Sequence, residues 1–195
     1  MEQSSSEQSS TEKTEKWLTK PKIHRSASLK PLKGETEMKI LIVYDSKTGN
    51  TKKMALAIAD GVRQVKGVDV ETKAVRTAKL EDLQAADGII LGSPTYYGQM
   101  SGNLKAFIDK SVKIHGKLRG KVGAAFTSSG GTASGAETTL LSILQAMLVH
   151  GMIVQGRSDD KHYGAAAVGA PNKKGLGYCN ELGRRVASLV VKLKD

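Results

Sequence analysis

From residue 38 onward, short apolar runs alternate with segments in which hydrophobic positions recur every third or fourth place. The runs are residues 39–44 (K-I-L-I-V-Y), 69–75, 88–92 (G-I-I-L-G), 121–127 and 152–155, each of strand length. The run at 88–92 is apolar throughout, as a strand buried on both faces should be. Between the runs, helical spacing puts Met54, Ile58, Val62 and Val65 on one face of a helix from about Asn50 to Lys66. A second helix, near Asn103–His115, buries Leu104, Phe107 and Ile108. A third carries Leu140, Ile143, Leu144 and Met147 inward, and Ser134 to Glu137 has capping-box spacing at its start. The last helix shows a stripe of Leu176, Cys179, Leu182, Val186, Leu189 and Leu193. A short element around Leu80–Ala85 and a glycine-rich crossing before the last helix complete the chain. The alternation predicts an α/β fold, a doubly wound five-stranded parallel sheet in a three-layer α/β/α arrangement. In such a sheet the loops at the C-terminal strand ends converge, and ligands bind there.

Residues 1–37 break the pattern. They are rich in Ser, Glu, Lys and Gln without a hydrophobic period, so disorder is expected there, with the folded domain spanning 38–195. Met38 stands just before the first strand, so the preceding segment reads equally as an upstream misreading, a tag or a natural tail. Within it, Arg25-Ser26-Ala27-Ser28 has the form of a basic-directed phosphorylation site and Trp17-Leu18 that of an interaction point. Such short matches in a polar tail are usually noise.

The net charge is +11. Residues 1–37 hold seven of the 30 Lys/Arg and six of the 19 Asp/Glu, so the rest carries about +10. The cations are scattered and not interleaved with aromatics, which make up 4% of the chain; an anionic small ligand is favoured over nucleic acid. The single cysteine, Cys179, rules out an internal disulfide and a CxxC metal site, and its place on the last helix's stripe reads as packing. No apolar run is long enough to span a membrane, and residues 1–6 lack the features of a secretory signal, so a cytoplasmic location is expected.

Three loops carry candidate chemistry. The first, Ser46-Lys47-Thr48-Gly49-Asn50-Thr51, lies between a buried strand and a helix. Hydroxyls, backbone N–H groups and the positive end of a helix dipole around one point suit a phosphate dianion. The motifs G-x-x-x-x-G-K-[ST] and G-x-G-x-x-G cannot be read there. The second loop begins Ser93-Pro94-Thr95-Tyr96-Tyr97-Gly98, where two adjacent tyrosines on a tight turn could press against a flat ring. The third, Thr127-Ser128-Ser129-Gly130-Gly131-Thr132-Ala133, has small residues that let backbone N–H groups approach a ligand closely.

These stretches, together with H-G-M-I-V at His150 and Y-G-A-A-A-V-G at Tyr163, resemble flavodoxin-like FMN proteins from about residue 39 to the end. The pattern P-T-x-[FY]-G-x-M-S-G is similar to that of the WrbA group of NAD(P)H:quinone oxidoreductases. The resemblance implies that Ser46, Lys47, Thr48, Gly49, Asn50 and Thr51 hold the FMN phosphate. It implies that Thr95, Tyr96 and Tyr97 line the isoalloxazine, with Pro94 and Gly98 shaping the turn at this cofactor-binding loop. Ser128, Ser129, Gly130, Gly131, Thr132 and Ala133 would bind its polar edge and the ribityl side. His150 matches a histidine that lies at the flavin in that group and is the one candidate catalytic residue; from sequence alone, a lone histidine after an apolar helix is more often structural. NAD(P)H is implied as electron donor, a quinone as acceptor, and a homodimer or homotetramer as assembly.

Two departures bear on these expectations. Thr48 stands where the group's quinone reductases have an aromatic that meets the nicotinamide nucleotide, and residues 73–87 lack an insertion that supports tetramer contacts. Three functions stay open at this point: a quinone oxidoreductase, an electron carrier, and a scaffold that keeps FMN as structure. The excess of positive charge is unlike the strongly acidic surface of typical carriers.

Overall fold

The structure, a computed structural model, describes residues 38–194. The expectations for the N-terminal segment therefore lie outside the described residues. Strands β1 (Met38–Tyr44), β2 (Val68–Ala74), β3 (Gly88–Pro94), β4 (Val122–Ser129), β5 (Ile153–Val154) and β6 (Ala165–Val168) alternate with helices. The helices are α1 (Asn50–Val62), α2 (Leu80–Ala85), α3 (Gly102–Lys110), α4 (Ala136–Val149) and α5 (Lys173–Lys194). All strand pairs are parallel, in the order β2-β1-β3-β4-β5, with β6 also on β4.

Period-two alternation divides the core. Ile40 and Ile42 of β1 face α1 and α5, where they meet Met54, Ile58, Leu182 and Val186. Leu41 and Val43 face the opposite layer, with Leu83 of α2, Leu104 of α3, and Leu140 and Ile143 of α4. Both faces of β1 are thus covered, which explains its unbroken apolar run. Glycines set the closest approaches. A Cβ on Gly92 of β3 would lie 2.0 Å from the ring of Phe126 on β4, and one on Gly183 of α5 would lie 2.0 Å from the Ile58 carbonyl of α1.

The sheet has five positions, as expected, but the fifth is built from two pieces. β5 pairs with Val122 and Gly123, and β6 pairs with Phe126–Ser129, so residues 155–164 interrupt one edge position. The glycine-rich crossing therefore contains a strand. Its A-A-A-V sequence has little intrinsic strand preference, and pairing with β4 supplies the conformation. Two helices are shorter than their apolar periods suggest. α1 stops at Val62, and α3 stops at Lys110 before a 3₁₀ turn, Ser111–Ile114, where the Ser111 hydroxyl donates to the Ile108 carbonyl at 2.6 Å. The capping box at Ser134 does not form: Gly135, with φ +93°, is the N-cap, and the Ser134 hydroxyl donates to the Gly131 carbonyl. On α5 the buried stripe includes Gly183, Ala187 and Val190, whereas Leu193 is exposed.

Candidate functional site

The loops after β1, β3 and β4 meet at the C-terminal edge of the sheet, and hydroxyl contacts join them. Thr51 and Ser128 share a buried hydrogen bond of 2.8 Å, tying the start of α1 to the end of β4. Thr127 Oγ1 donates to the Ser93 carbonyl at 2.8 Å, so at 2.9 Å it accepts from Thr95 Oγ1. The Thr95 N–H continues the ladder to the Ser128 carbonyl at 2.7 Å. Ser93 and Thr127 are fully buried. The Thr51–Ser128 and Thr95–Thr127 pairs satisfy each other between elements, while Ser93 Oγ donates to the Pro94 carbonyl and accepts from the Ser101 N–H, and together these bonds fix the relative positions of the loops.

Gly49 is the N-cap of α1 with φ +90° and ψ −9°, a left-handed conformation that glycine adopts without steric cost. Ser46 Oγ accepts from the N–H groups of Gly49 and Lys52 at 3.1 and 3.3 Å. Among the described residues, the first-turn N–H groups of Asn50 and Thr51 have no partner. They are orphan donors at the positive end of a 13-residue helix, and the exposed Lys47 and Lys52 flank them. Among the described residues, no atom beyond its own chain neighbours lies within 4 Å of a Cβ placed on Gly49. The space beside Gly49 is open to an anion.

The loop after β3 is a tight turn. Tyr96 and Gln99 exchange backbone hydrogen bonds of 2.9 and 3.0 Å, with φ +50° at Tyr97 and +76° at Gly98, the signs of a type I′ turn. A bulky residue at positive φ is an outlier. Its effect is to hold the Tyr97 side chain fully in solvent, beside a half-exposed Tyr96. Thr138 of α4 donates to the Gly98 carbonyl at 2.7 Å and braces the turn against the third loop. In that loop Ser129 Oγ donates to the Gly131 carbonyl at 3.0 Å, while Thr132 and Ala133 are exposed, Ala133 with φ +52°.

Comparisons with known proteins agree with this architecture. Residues 71–159 match the family model of NADPH-dependent FMN reductases. A flavodoxin from Aquifex aeolicus is 40% identical over 165 residues, covering 80% of this chain and 89% of that one. An NAD(P)H dehydrogenase (quinone) from Archaeoglobus fulgidus is 38% identical over 189 residues, covering 80% and 98%. The chain belongs to the flavodoxin-like FMN proteins. Within them it resembles the WrbA group: a WrbA-like flavodoxin from Agrobacterium tumefaciens superposes with a TM-score of 0.70 at 27% identity, covering 80% of this chain and 98% of that one.

His150 departs from what the resemblance implies. It caps the C-terminus of α4, whose N-terminus touches the tyrosine turn, and 14 helical residues, about 20 Å, separate the two ends. Within one chain it stands at the N-terminal edge of the sheet, away from the three loops. There its Nε2–H donates to Ser111 Oγ at 2.7 Å, since that hydroxyl already donates to Ile108. Among the described residues, its buried Nδ1 has no hydrogen-bond partner. Burial, and secondarily the neighbouring His115, lower its pKa from the ordinary 6.5. The folded state thus favours the neutral imidazole of His150. Its stabilising contribution is full above the unfolded pKa and is lost as pH falls through the folded value. Urea unfolding between pH 7.5 and 5 is expected to show falling stability on acidification, with a smaller slope in His150→Asn.

Cys179 has the packing role expected of it. It is fully buried, and burial pushes its thiol up to about 12, so it is not a nucleophile at neutral pH. Sequence reasoning missed a fourth loop, Gly169–Asn172 after β6, joined to the site by the Gly169 N–H donating to the Ser129 carbonyl at 2.8 Å. The run Y-G-A-A-A-V-G was the available signal, and its alanines disguised the strand. None of the described helices is long and apolar enough to cross a membrane.

Proposed function

We propose that the chain is an FMN-dependent oxidoreductase that moves electrons from NAD(P)H to a quinone-type acceptor. The observation that carries this reading is the joining of three strand-end loops, through Thr51–Ser128 and Thr95–Thr127, into one cradle beside an exposed aromatic turn. The residues present fit FMN. The open loop at Gly49, with unpartnered N–H groups at Asn50 and Thr51, suits a terminal phosphate dianion. When bound, FMN would supply the redox chemistry, accepting two electrons from a nicotinamide and releasing them to a quinone.

The chain's own residues supply binding and orientation. Ser46 to Thr51 anchor the phosphate, with Lys47 and Lys52 adding positive charge. Thr95, Tyr96 and Tyr97 line one side of the isoalloxazine, positioned by Pro94 and Gly98. Ser128 to Ala133 present backbone donors to its polar edge, and their small side chains leave room for a flat acceptor. Relatives named NAD(P)H dehydrogenase (quinone) support the enzymatic reading, including one from Methylocella silvestris at 34% identity. A second reading, an electron carrier, is favoured by relatives named flavodoxin and by Thr48 in the phosphate loop.

Steady-state oxidation of NADH and NADPH by the FMN-loaded protein, with and without a benzoquinone, separates the two. Quinone-stimulated turnover with parallel double-reciprocal lines is expected, because donor and acceptor use the same open face in turn. Absence of stimulated turnover would give the case to the carrier.

A further inference from the structure

A trough runs from the phosphate loop away from the tyrosine turn, over the ends of β1 and β2. It consists of two adjoining cavities of about 290 and 440 Å³ that share Val75, Arg76 and Asn103. Lys47 and Lys52 line its near part, and Arg76, Lys79 and Lys110 its far part. All five are exposed, and none forms an ion pair among the described residues. The one carboxylate in the lining, Asp45, accepts from Asn103 Nδ2 at 3.3 Å. The far part has an apolar floor of Val75, Leu80, Ala106 and Phe107. Only residues 75–79 connect β2 to α2, so no segment of that connection is long enough to cover it.

We propose that this trough receives the adenosine 2′-phosphate end of NADPH, with Arg76, Lys79 and Lys110 selecting NADPH over NADH. The inference rests on the reading of the chain as an NAD(P)H-dependent enzyme. Five unpaired cations around a cleft create a potential that favours a polyanion, and the cleft focuses it. Lys47 and Lys52 stand at the phosphate loop, where FMN phosphate and the donor's pyrophosphate both come near. The three far cations have no such anion to neutralise. A phosphomonoester dianion is the group that distinguishes the two donors, and the Arg76 guanidinium can hold it through two parallel hydrogen bonds. The apolar floor beside it suits an adenine ring. β2 and β3 are two strand spacings apart, about 10 Å, a span that an extended dinucleotide covers between this trough and the tyrosine turn.

The test is calorimetric titration of the FMN-loaded protein with 2′,5′-ADP and with 5′-ADP. Binding of 2′,5′-ADP about tenfold tighter or more is expected, with the preference lost in the double variant Arg76→Ala, Lys79→Ala. The same variant should lower the ratio of kcat/KM for NADPH over NADH by a similar factor while flavin content stays unchanged, since both residues lie outside the three loops. Equal binding of the two nucleotides, no binding of either, or a preference that survives the double variant would each overturn the assignment. So would an acidic peptide that binds through these residues while 2′,5′-ADP does not. Failure to retain FMN would instead count against the proposed function itself, so the two readings fail separately.

Discussion

Gly49→Val is expected to lower FMN affinity at least about a hundredfold, equivalent to roughly 2.7 kcal/mol. Two effects combine. At φ +90° a β-branched residue is refused by the backbone, so the turn must open and the first N–H groups of α1 lose their common aim. The space around the Gly49 Cα is empty, so the new side chain would project into the volume that a phosphate needs. Fluorescence titration of the apoprotein measures the loss directly. Retained affinity would show the loop to be an ordinary turn.

Gly183→Ala is expected to destabilise the fold by about 3 kcal/mol, at the upper end for overpacking. The α1–α5 contact is closed by backbone. A Cβ at Gly183 meets the Ile58 carbonyl at 2.0 Å, and one at Gly61 meets the Asn180 carbonyl at 1.8 Å. Neither partner atom can rotate aside as a side-chain tip would, so the helices must separate and loosen the layer around Met54, Ile58, Leu182 and Val186. For a domain of this size the thermal midpoint should fall by roughly 10 °C. Gly177, on the exposed side of the same helix, has nothing within 4 Å of a built Cβ. Gly177→Ala should be neutral or stabilising by up to about 1 kcal/mol through helix propensity. Equal melting of the two variants would refute the close-packed seam.

Much of this architecture is visible in the sequence because parallel strands buried on both faces leave unbroken apolar runs, as at Ile40–Val43 and Ile89–Leu91. The short α2 is placed correctly because Leu83 is buried against the sheet with Leu80 packed beside it. What the sequence hides depends on tertiary pairing. β6 is a strand only because Phe126–Ser129 pair with it, and Ala165–Ala167 carry no periodic signal. The three loops of the site are legible from their hydroxyls, glycines and adjacent tyrosines. Their stitching is not, because Thr51 and Ser128 are 77 residues apart. Within one chain, the position of His150 is set by helix length, which the motif does not carry. The H-G-M stretch is present, yet the length of α4 takes its histidine to the other edge of the sheet.

We propose that residues 46–51 grip the FMN phosphate, and titration of the apoprotein with FMN and with riboflavin tests that grip. The two ligands share the ring and the ribityl chain and differ in the phosphate alone. FMN is expected to bind about a hundredfold tighter or more, reflecting several charge-assisted hydrogen bonds from the loop. Equal affinity for the two would contradict the assignment.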